Sequence, residues 1–276
     1  MRKIYNKKFL ISFFLILLLL YTSIEPYWLE LKETNIINKD LPASFENTKI
    51  VFVSDIHHGP LFSRERVRNL VRQINKLNPD IILLGGDYVI IDSKCIQPCF
   101  EELKNLKATI GKFGVLGNHD HWRSAELTGI FAKDAGIRLL DNKAEWVYKN
   151  GENGERIKIG GIGDMYEDIQ DINPTTSDVR EQDFVILLSH NPDFAEEIKT
   201  HNIDLVLSGH THGGQVTLFG LWAPLVPIEN KQKYRTGVVD TGYTKVVVSN
   251  GVGTTALPVR FFARPQINII NLKKEQ

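Results

Sequence analysis

Side chains that can bind a metal or transfer a proton follow five short apolar runs of the chain. Each run ends in a serine or glycine before the polar residues begin. The residues in these positions are Asp55 and His57, Asp87, Asn118 with His119 and Asp120, His190, and His210 with His212. Carboxylate, amide and imidazole groups suit divalent metals of intermediate hardness, and the lack of cysteine in the set disfavours a structural zinc site.

Seven of these residues are candidate metal ligands, which is more than one ion needs. They are Asp55, His57, Asp87, Asn118, His190, His210 and His212. We expect two ions that share a bridging carboxylate, because ions about 3.5–4 Å apart can clamp the attacking and leaving oxygens of a phosphoryl transfer. A single histidine is more often a structural residue, so this prediction depends on the complete ordered set.

The elements that must position these residues alternate between strands and helices. Strands are predicted at 50–53, 81–84, 113–116, 184–188 and 204–207, and helices at 63–77, 99–106, 124–135 and 193–200. The later chain is strand-rich, at 215–218, 237–240, 245–249 and 266–272, and 156–162 forms a hairpin with the stretch around Trp146. This order favours an α/β fold whose parallel strands deliver their carboxyl ends to one edge of the sheet. Gly85, Gly86, Gly117 and Gly209 are expected to permit sharp turns there.

The same residues form the motifs of a known family. The blocks are Asp55 with His57, Gly86 with Asp87, Gly117 through Asp120, His190, and Gly209 through His212. In this order the chain resembles the calcineurin-like metallophosphoesterase superfamily over 51–214. Segments 212–216 and 249–261 further resemble a bacterial branch, the membrane-anchored phosphoesterases of the YkuE and YaeI type. The resemblance implies a four-layer α/β/β/α sandwich of two mixed sheets.

The resemblance also implies a role for each residue. One ion would be bound by Asp55, His57 and His212, the second by Asn118, His190 and His210, and Asp87 would bridge them. The ions would be Mn²⁺, Zn²⁺ or Fe²⁺, and a hydroxide bridging them would attack phosphorus. His119 would protonate the leaving oxygen or stabilise the phosphoryl oxygens, and Asp120 would orient His119.

The amino terminus has the pattern of a membrane anchor. Four basic residues at 2–8 precede sixteen uncharged residues, 9–24, and Tyr27 and Trp28 follow where an aromatic belt is expected. A spanning helix needs about 20 apolar residues, with a lower limit of roughly 17. The alternatives are a buried core helix and a cleaved signal peptide. Tyr21, two residues before Ser23, makes a poor cleavage site, which favours an uncleaved anchor.

The charges on either side of this run predict its orientation. The basic residues before it, and Glu25, Glu30 and Glu33 after it, place the amino terminus in the cytoplasm and the main domain outside. Without residues 1–30 the chain keeps 29 basic and 31 acidic residues. We expect an anchor at 1–30, an irregular stem at 31–48 and one metallophosphoesterase domain at 49–276.

Composition excludes several other classes of protein. The 276 residues are 42% hydrophobic and 24% charged, which excludes a disordered chain and a coiled coil. The 33 basic and 33 acidic residues give no net charge, so we expect no binding to nucleic acid through bulk charge. The expected partners are a phosphoester substrate, with a lipid-linked ester left open, and the membrane.

Three functions are compatible with the sequence. A membrane-anchored dinuclear phosphohydrolase, acting on a phosphodiester or phosphomonoester, is favoured. A hydrolase of a pyrophosphate lipid such as UDP-2,3-diacylglucosamine fits the anchor, but a UDP-sugar is cytosolic and the domain is predicted outside. A catalytically silent binding protein is disfavoured because no ligand residue is lost.

Some residues near the motifs keep two interpretations each. His58 and His121 either contact substrate or face solvent, and Cys95 and Cys99 form either a small-loop disulfide or two free thiols. The apolar loop 219–234 is a substrate lid, a wall for an acyl chain, a surface on the bilayer, or a segment packed on the core. Arg260 and Arg264 bind phosphate or close the sheet with an ion pair.

Overall fold

Two mixed sheets of six strands each lie face to face in the computed structural model, which describes residues 2–149 and 154–275. The strands are β1 (Glu30–Asn38), β2 (Lys49–Val53), β3 (Ile81–Leu84), β4 (Gly111–Gly114), β5 (Arg138–Leu139), β6 (Lys143–Tyr148), β7 (Arg156–Gly161), β8 (Val185–Leu188), β9 (Leu205–Ser208), β10 (Gly237–Asp240), β11 (Lys245–Val248) and β12 (Gln266–Lys274). The sheet orders are β1-β12-β2-β3-β4-β5 and β10-β11-β9-β8-β7-β6. Met1, residues 150–153 and Gln276, which the predicted anchor and domain include, lie outside the described residues.

Parallel pairing dominates the middle of both sheets. In the first sheet β2, β3, β4 and β5 are parallel neighbours, and in the second β7, β8, β9 and β11 are. Antiparallel strands flank them: β12 pairs with β2, β6 with β7, and β10 with β11. The predicted α/β fold with two mixed sheets is confirmed, and β2, β3 and β4 end side by side, as do β8 and β9.

The α-helices among the described residues are α1 (Arg2–Ile24), α2 (Arg64–Lys76), α3 (Ile96–Leu103), α4 (Asn118–Asp134) and α5 (Asn173–Thr176). Of these, α2, α3 and α4 cover the outer face of the first sheet. In α2 the predicted apolar face is buried, and the Ser63 hydroxyl accepts a hydrogen bond from the Arg66 amide at 3.4 Å. This N-cap ends the loop that follows β2 and starts the helix where the sequence predicts it.

The main core lies between the sheets. Phe52, Leu83 and Phe113 of the first sheet pack in one cluster with Ile186 and Leu207 of the second. The outer face of the second sheet is covered by short pieces, a 3-10 turn at Pro192–Glu196 and buried residues of the loop 219–234. The fourth layer of the sandwich is therefore thin.

Several local predictions were wrong. The segment expected to be an irregular stem contains β1, which pairs in parallel with β12. Lys32 and Glu33 are exposed and charged, so the segment lacks the apolar alternation that predicts a strand. An edge strand tolerates such side chains because it is held mainly by backbone hydrogen bonds. The strand expected at 215–218 forms only isolated bridges, and the helix expected at 193–200 is the 3-10 turn. α4 begins at Asn118, before an extended Ser124.

The amino-terminal helix is apolar on all sides and largely exposed. By length and composition the segment Lys7–Tyr27 could cross a membrane, and it is the one such segment among the described residues. Phe14 and Leu19, for example, are 65% and 66% exposed. A helix with no polar face gains little by packing on a soluble domain.

Candidate metal centre

The seven candidate ligands come together at one edge of the sandwich. The loops after β2, β3 and β4 bring Asp55, His57, Asp87 and Asn118 to this edge, and those after β8 and β9 bring His190, His210 and His212. All seven are buried. Because the two sheets face each other, residues far apart in sequence meet across the gap between them.

The donor atoms form three overlapping groups. They are Asp55 with His57 and His212, His57 with Asp87 and His119, and Asp87 with His190 and His210. Within each group the donor atoms lie within 4.8 Å of one another. The Asp87 Oδ2 lies 3.5 Å from the His57 Nε2 and 3.3 Å from the His190 Nε2. The Asp87 carboxylate therefore lies between His57, which belongs to the first group, and His190, which belongs to the third.

The backbone at these residues is unusual. Asp55, His57, Asp87, His210 and His212 all have positive φ, between 51° and 66°. Such values cost energy for residues with a side chain, and they recur at functional sites where the surroundings enforce them. Of the four glycines that were predicted to permit sharp turns (Gly85, Gly86, Gly117 and Gly209), Gly86 alone has positive φ.

Gly117 and Gly209 instead allow the side chains of candidate ligands to approach the backbone closely. A Cβ on Gly117 would lie 2.3 Å from Asp87 Oδ1 and 2.8 Å from His190 Cε1. A Cβ on Gly209 would lie 2.4 Å from Asp55 Oδ2. Any side chain at either position would displace a candidate ligand.

Hydrogen bonds to backbone carbonyls fix two of the imidazole rings. His190 Nδ1 lies 2.6 Å from Gly85 O, and His210 Nε2 lies 3.1 Å from Pro227 O. Since a carbonyl only accepts, these nitrogens carry protons, and in the neutral form of each ring the lone pair is on His190 Nε2 and on His210 Nδ1. These two nitrogens lie 3.2 Å apart. Such outer contacts orient metal-binding histidines in proteins.

Electrostatics in the cluster favour uncharged rings at His57, His210 and His212, whereas the adjacent carboxylate of Asp87 outweighs burial and raises the pKa of His190 well above its usual value. Burial lowers the pKa of His57 to about 3 and that of His210 to about 4, and it holds the pKa of His212 well below its usual value. Burial alone would raise the pKa of Asp87, but the adjacent His190 and His57 keep it below its usual range. Burial raises the pKa of Asp55 to about 6. Metal binding requires deprotonated ligands, and the lowered pKa values of His57, Asp87, His210 and His212 favour that state.

The donor set fits two divalent ions. His57 Nε2 and His212 Nε2 lie 3.1 Å apart, and Asn118 Oδ1 is buried without a hydrogen-bond partner among the described residues. Nitrogen and oxygen donors in this ratio suit Mn²⁺, Zn²⁺ or Fe²⁺ rather than Ca²⁺. One shared carboxylate between two groups of donors is the arrangement expected of a dinuclear site.

The expectation that Asp120 orients His119 was wrong. The Asp120 carboxylate accepts hydrogen bonds from the backbone amides of Asp87, Tyr88 and Gly117, at 2.8–2.9 Å. His119 Nδ1 instead lies 3.2 Å from Ile90 O. Asp120 is in the first turn of α4, and its side chain turns back to the amide of Gly117 at the start of that helix and to the amides of Asp87 and Tyr88 after β3. Asp120 therefore supports both the loop that carries Asp87 and the loop that carries Asn118.

Sequence reasoning missed other groups at this edge. Asp164 is buried and follows the carboxyl end of β7, and its charge partly opposes the lowering of the His210 pKa by burial. It stands after a glycine at the end of an apolar run, which is the signal that identified the other five positions. The exposed rings of Trp122 and Tyr166 lie 4.6 Å from His119 and 5.9 Å from His210.

Other candidates lie outside the cluster. Arg260 is fully buried and donates to backbone carbonyls, among them His212 O and Asn250 O, so it braces loops and does not face a substrate. Arg264 stacks on Trp28. His58 Nδ1 lies 2.8 Å from Phe62 O, and Cys95 and Cys99 are free thiols.

Comparison with known proteins identifies relatives along nearly the whole chain. Residues 48–214 match the family model for calcineurin-like phosphoesterases. The chain is 34% identical to the uncharacterized metallophosphoesterase YkuE of Bacillus subtilis, over 91% of this chain and 87% of that protein. It is 32% identical to the phosphodiesterase YaeI of Escherichia coli, over 90% of each. It is 30% identical to a zebrafish protein named transmembrane protein with metallophosphoesterase domain, over 85% of this chain and 55% of that one.

Proposed function

The chain belongs to the calcineurin-like phosphoesterase family and is a hydrolase of phosphoric esters, and from that premise we propose that it is tethered to a membrane and uses two divalent ions held at the shared sheet edge. The observation that carries the proposal is the position of Asp87, whose carboxylate belongs to two of the three donor groups.

We assign the ligands as follows. Asp55, His57 and His212 bind one ion, Asn118, His190 and His210 bind the other, and Asp87 contacts both. When bound, the ions supply positive charge that polarises the phosphoryl group and lowers the pKa of water. The neutral imidazoles of His57 and His210 and the low pKa of Asp87 support this assignment, because these three ligands already have the required protonation states. His190, whose pKa the Asp87 carboxylate raises, would release a proton on binding an ion.

His119 is proposed to transfer the proton to the leaving oxygen. It is partly exposed at the mouth of the cluster, and its ring lies 4.7 Å from that of His57. With Nδ1 donating to Ile90 O, the protonated ring presents Nε2–H to a bound ester. The exposed rings of Trp122 and Tyr166 offer flat apolar surfaces to the rest of the substrate.

The tether is proposed to be α1 with the residues up to Tyr27. The segment is long and apolar enough to span, and one relative is named a transmembrane protein. The basic residues before the span and the acidic residues after it support a cytoplasmic amino terminus and a catalytic domain outside. We also retain the division into an anchor at 1–30, a connecting segment at 31–48 and a catalytic domain at 49–276 as part of this proposal.

The direct test is turnover of a chromogenic phosphodiester by the full chain in detergent. We expect activity with Mn²⁺, loss of activity with a chelator, and recovery when metal is restored. Asp87→Asn should abolish turnover, while Asp134→Asn, on an exposed position of α4, should retain it. Full activity in Asp87→Asn, or no turnover by the metal-loaded wild type, would contradict the proposal.

A pyrophosphate lipid such as UDP-2,3-diacylglucosamine is the second candidate substrate. The exposed apolar side chains of the loop that follows His212 favour it, because they could contact acyl chains. The predicted orientation opposes it, since a UDP-sugar is a cytosolic metabolite. A topology reporter at the carboxyl terminus separates the two: a cytoplasmic signal supports the lipid substrate, and an external signal excludes it.

A further inference from the structure

Exposed apolar side chains cluster on one side of the catalytic domain, and we call this set the apolar surface. Its residues come from two loops that follow the last ligand and precede β12: Val216, Leu218, Phe219, Leu221, Trp222, Leu225, Leu257 and Phe262. They are between 41% and 83% exposed. Neither 216–228 nor 251–259 contains a charged residue. A contiguous patch of this kind marks a surface that another apolar phase covers.

The two loops form one unit. Val216 bridges to Phe261, and the Thr217 amide and hydroxyl donate to Phe261 O. The ring of Phe219 lies 5.4 Å from that of Phe262. Backbone hydrogen bonds and ring contacts thus join residues 216–219 of the first loop to residues 261–262 of the second.

This surface is fastened to the end of the amino-terminal helix. The ring of Tyr21 lies 5.7 Å from Phe261 and 5.4 Å from Phe262, and the Arg260 amide donates to Thr22 O. The buried Glu25 carboxylate accepts hydrogen bonds from the amides of Phe262 and Ala263, at 2.8 and 2.6 Å. The position of the apolar surface relative to α1 is therefore fixed by specific contacts.

The length of the helix sets the depth of this surface. The sixteen uncharged residues 9–24 rise about 24 Å at 1.5 Å per residue, and the hydrocarbon core is about 30 Å thick. If Lys7–Tyr27 spans instead, Tyr21 lies about 9 Å before the end of the span. In either placement Tyr21, and the phenyl rings that touch it, lie at or below the level of the headgroups.

From these contacts we infer that the apolar surface rests in the outer leaflet boundary of the same bilayer that α1 spans, so that the catalytic domain lies against the membrane. The occupant is lipid because the neighbouring element is itself the lipid-exposed helix, and the uncharged loops can enter the interface. This inference rests on the proposed tether.

The site would then face substrates close to the membrane. Val216 is four residues after His212, a separation of at most about 14 Å. Pro227 O, in the same loop, contacts His210, and Arg260 contacts His212 O. The loops that enter the interface therefore also support two of the proposed ligands, which favours phosphoesters presented at the bilayer surface.

Tryptophan quenching by brominated lipid tests the inference. The full chain is reconstituted into phosphatidylcholine and phosphatidylglycerol vesicles with ordinary or brominated acyl chains, and the quenched fraction of emission is measured. Trp222→Phe should lower this fraction, because it removes a quenched residue. Trp146→Phe is the matched control: Trp146 is on β6, at the far edge of the second sheet, and its removal should raise the fraction.

The outcomes separate the surface from the tether and from the enzyme. If Trp222→Phe raises the quenched fraction as Trp146→Phe does, while Trp28→Phe lowers it, the tether stands and the inference is overturned in favour of a protein partner. If the wild type does not float with vesicles, both the tether and the inference fail. Turnover of a soluble diester in detergent tests the phosphohydrolase separately. Leu221→Lys should reduce Trp222 quenching without changing that turnover.

Discussion

Carboxylates lie at both ends of the parallel strands, but the candidate metal ligands gather at the carboxyl ends. At the amino ends, Asp80 precedes β3 and Asp204 precedes β9. Asp80 accepts from the Lys49 amide at 2.9 Å and the Thr109 hydroxyl at 3.0 Å, and Asp204 accepts from the Val185 amide at 2.7 Å. These acids are satisfied by groups on or next to neighbouring strands, so each of them joins strands within its own sheet.

At the carboxyl ends the polar groups face one another instead. Asp55 and Asp87 lie among imidazoles whose free nitrogens point at them, on backbone held at positive φ. An acid beside an apolar run is therefore not in itself a site. Backbone amides donate to Asp55 and to Asp87 Oδ1, but Asp87 Oδ2 faces the ring nitrogens of His57 and His190. What distinguishes the functional end is therefore the convergence of several potential metal ligands from different strands.

The largest effect should come from removing an imidazole at the carboxyl ends. His190→Gln should lower turnover of a phosphodiester by about 10²–10³-fold, comparable to the loss of one electrostatic group in other active sites. The physical reason is that a proposed ligand and the partner of Asp87 are lost together. The measurement is kcat/KM with saturating Mn²⁺. His201→Gln, at an exposed position, is the control and should be unchanged; equal rates for the two variants would remove His190 from the site.

A smaller effect on activity is expected at Asp120, which braces the site without facing it. Asp120→Asn keeps the size of the side chain but has one acceptor oxygen for three amides, so the loops carrying Asp87 and Asn118 should loosen. We expect metal affinity or turnover to fall by about 10–100-fold, as for other groups that orient ligands. A titration with Mn²⁺ should show partial recovery. A proton-transfer role would instead shift the pH profile while leaving metal affinity unchanged.

At the amino ends the expected effect is on stability alone. Asp80→Ala leaves the Lys49 amide and the Thr109 hydroxyl without their acceptor and should lower the free energy of unfolding by about 1–3 kcal/mol. Urea unfolding of the full chain in detergent measures this, and turnover of the folded fraction should be unchanged. A large loss of turnover without destabilisation would erase the distinction between the two ends.

The smallest effect is a change in pH dependence at Asp204. Burial raises its pKa from 3.8 to about 6 in the folded chain. The folded state therefore holds more protons than the unfolded state between these values, and this group makes the free energy of unfolding fall as pH rises from about 4 to about 6. Asp204→Asn should remove that contribution, so the variant gains stability relative to the wild type with rising pH. Unfolding midpoints across this range measure it. A parallel pH dependence in Asp204→Asn and the wild type would refute the assignment.

Much of the fold and the convergence of the candidate ligands could be predicted from sequence. Strand direction places Asp55, Asp87 and Asn118 at one edge of the first sheet and His190 and His210 at one edge of the second, because all follow the carboxyl ends of parallel strands. The facing of the two sheets then brings the two sets together. The helix α2 and its Ser63 cap were also predictable, since apolar spacing and capping are local properties. The edge strand β1 was not, because pairing with β12 uses backbone groups that leave no mark on side-chain pattern.

The details of the site depended on tertiary contacts. No local pattern indicates that Asp120 turns to three backbone amides, or that Arg260 is buried among carbonyls. The positive φ values at the ligands likewise depend on their surroundings, since such values are uncommon even for aspartate and histidine, which adopt them more often than most residues. Sequence reasoning identified which residues meet, and the structure was needed to show what holds them.

Two ions that share Asp87 are the centre of the proposed mechanism. Metal content of the purified full chain, loaded with Mn²⁺ and then desalted, tests this by mass spectrometry without reference to any substrate. We predict about two ions per wild-type chain and fewer than one in Asp87→Asn, with Asp134→Asn unchanged. Fewer than one ion in the wild type, or two ions in Asp87→Asn, would contradict a dinuclear centre built around this carboxylate.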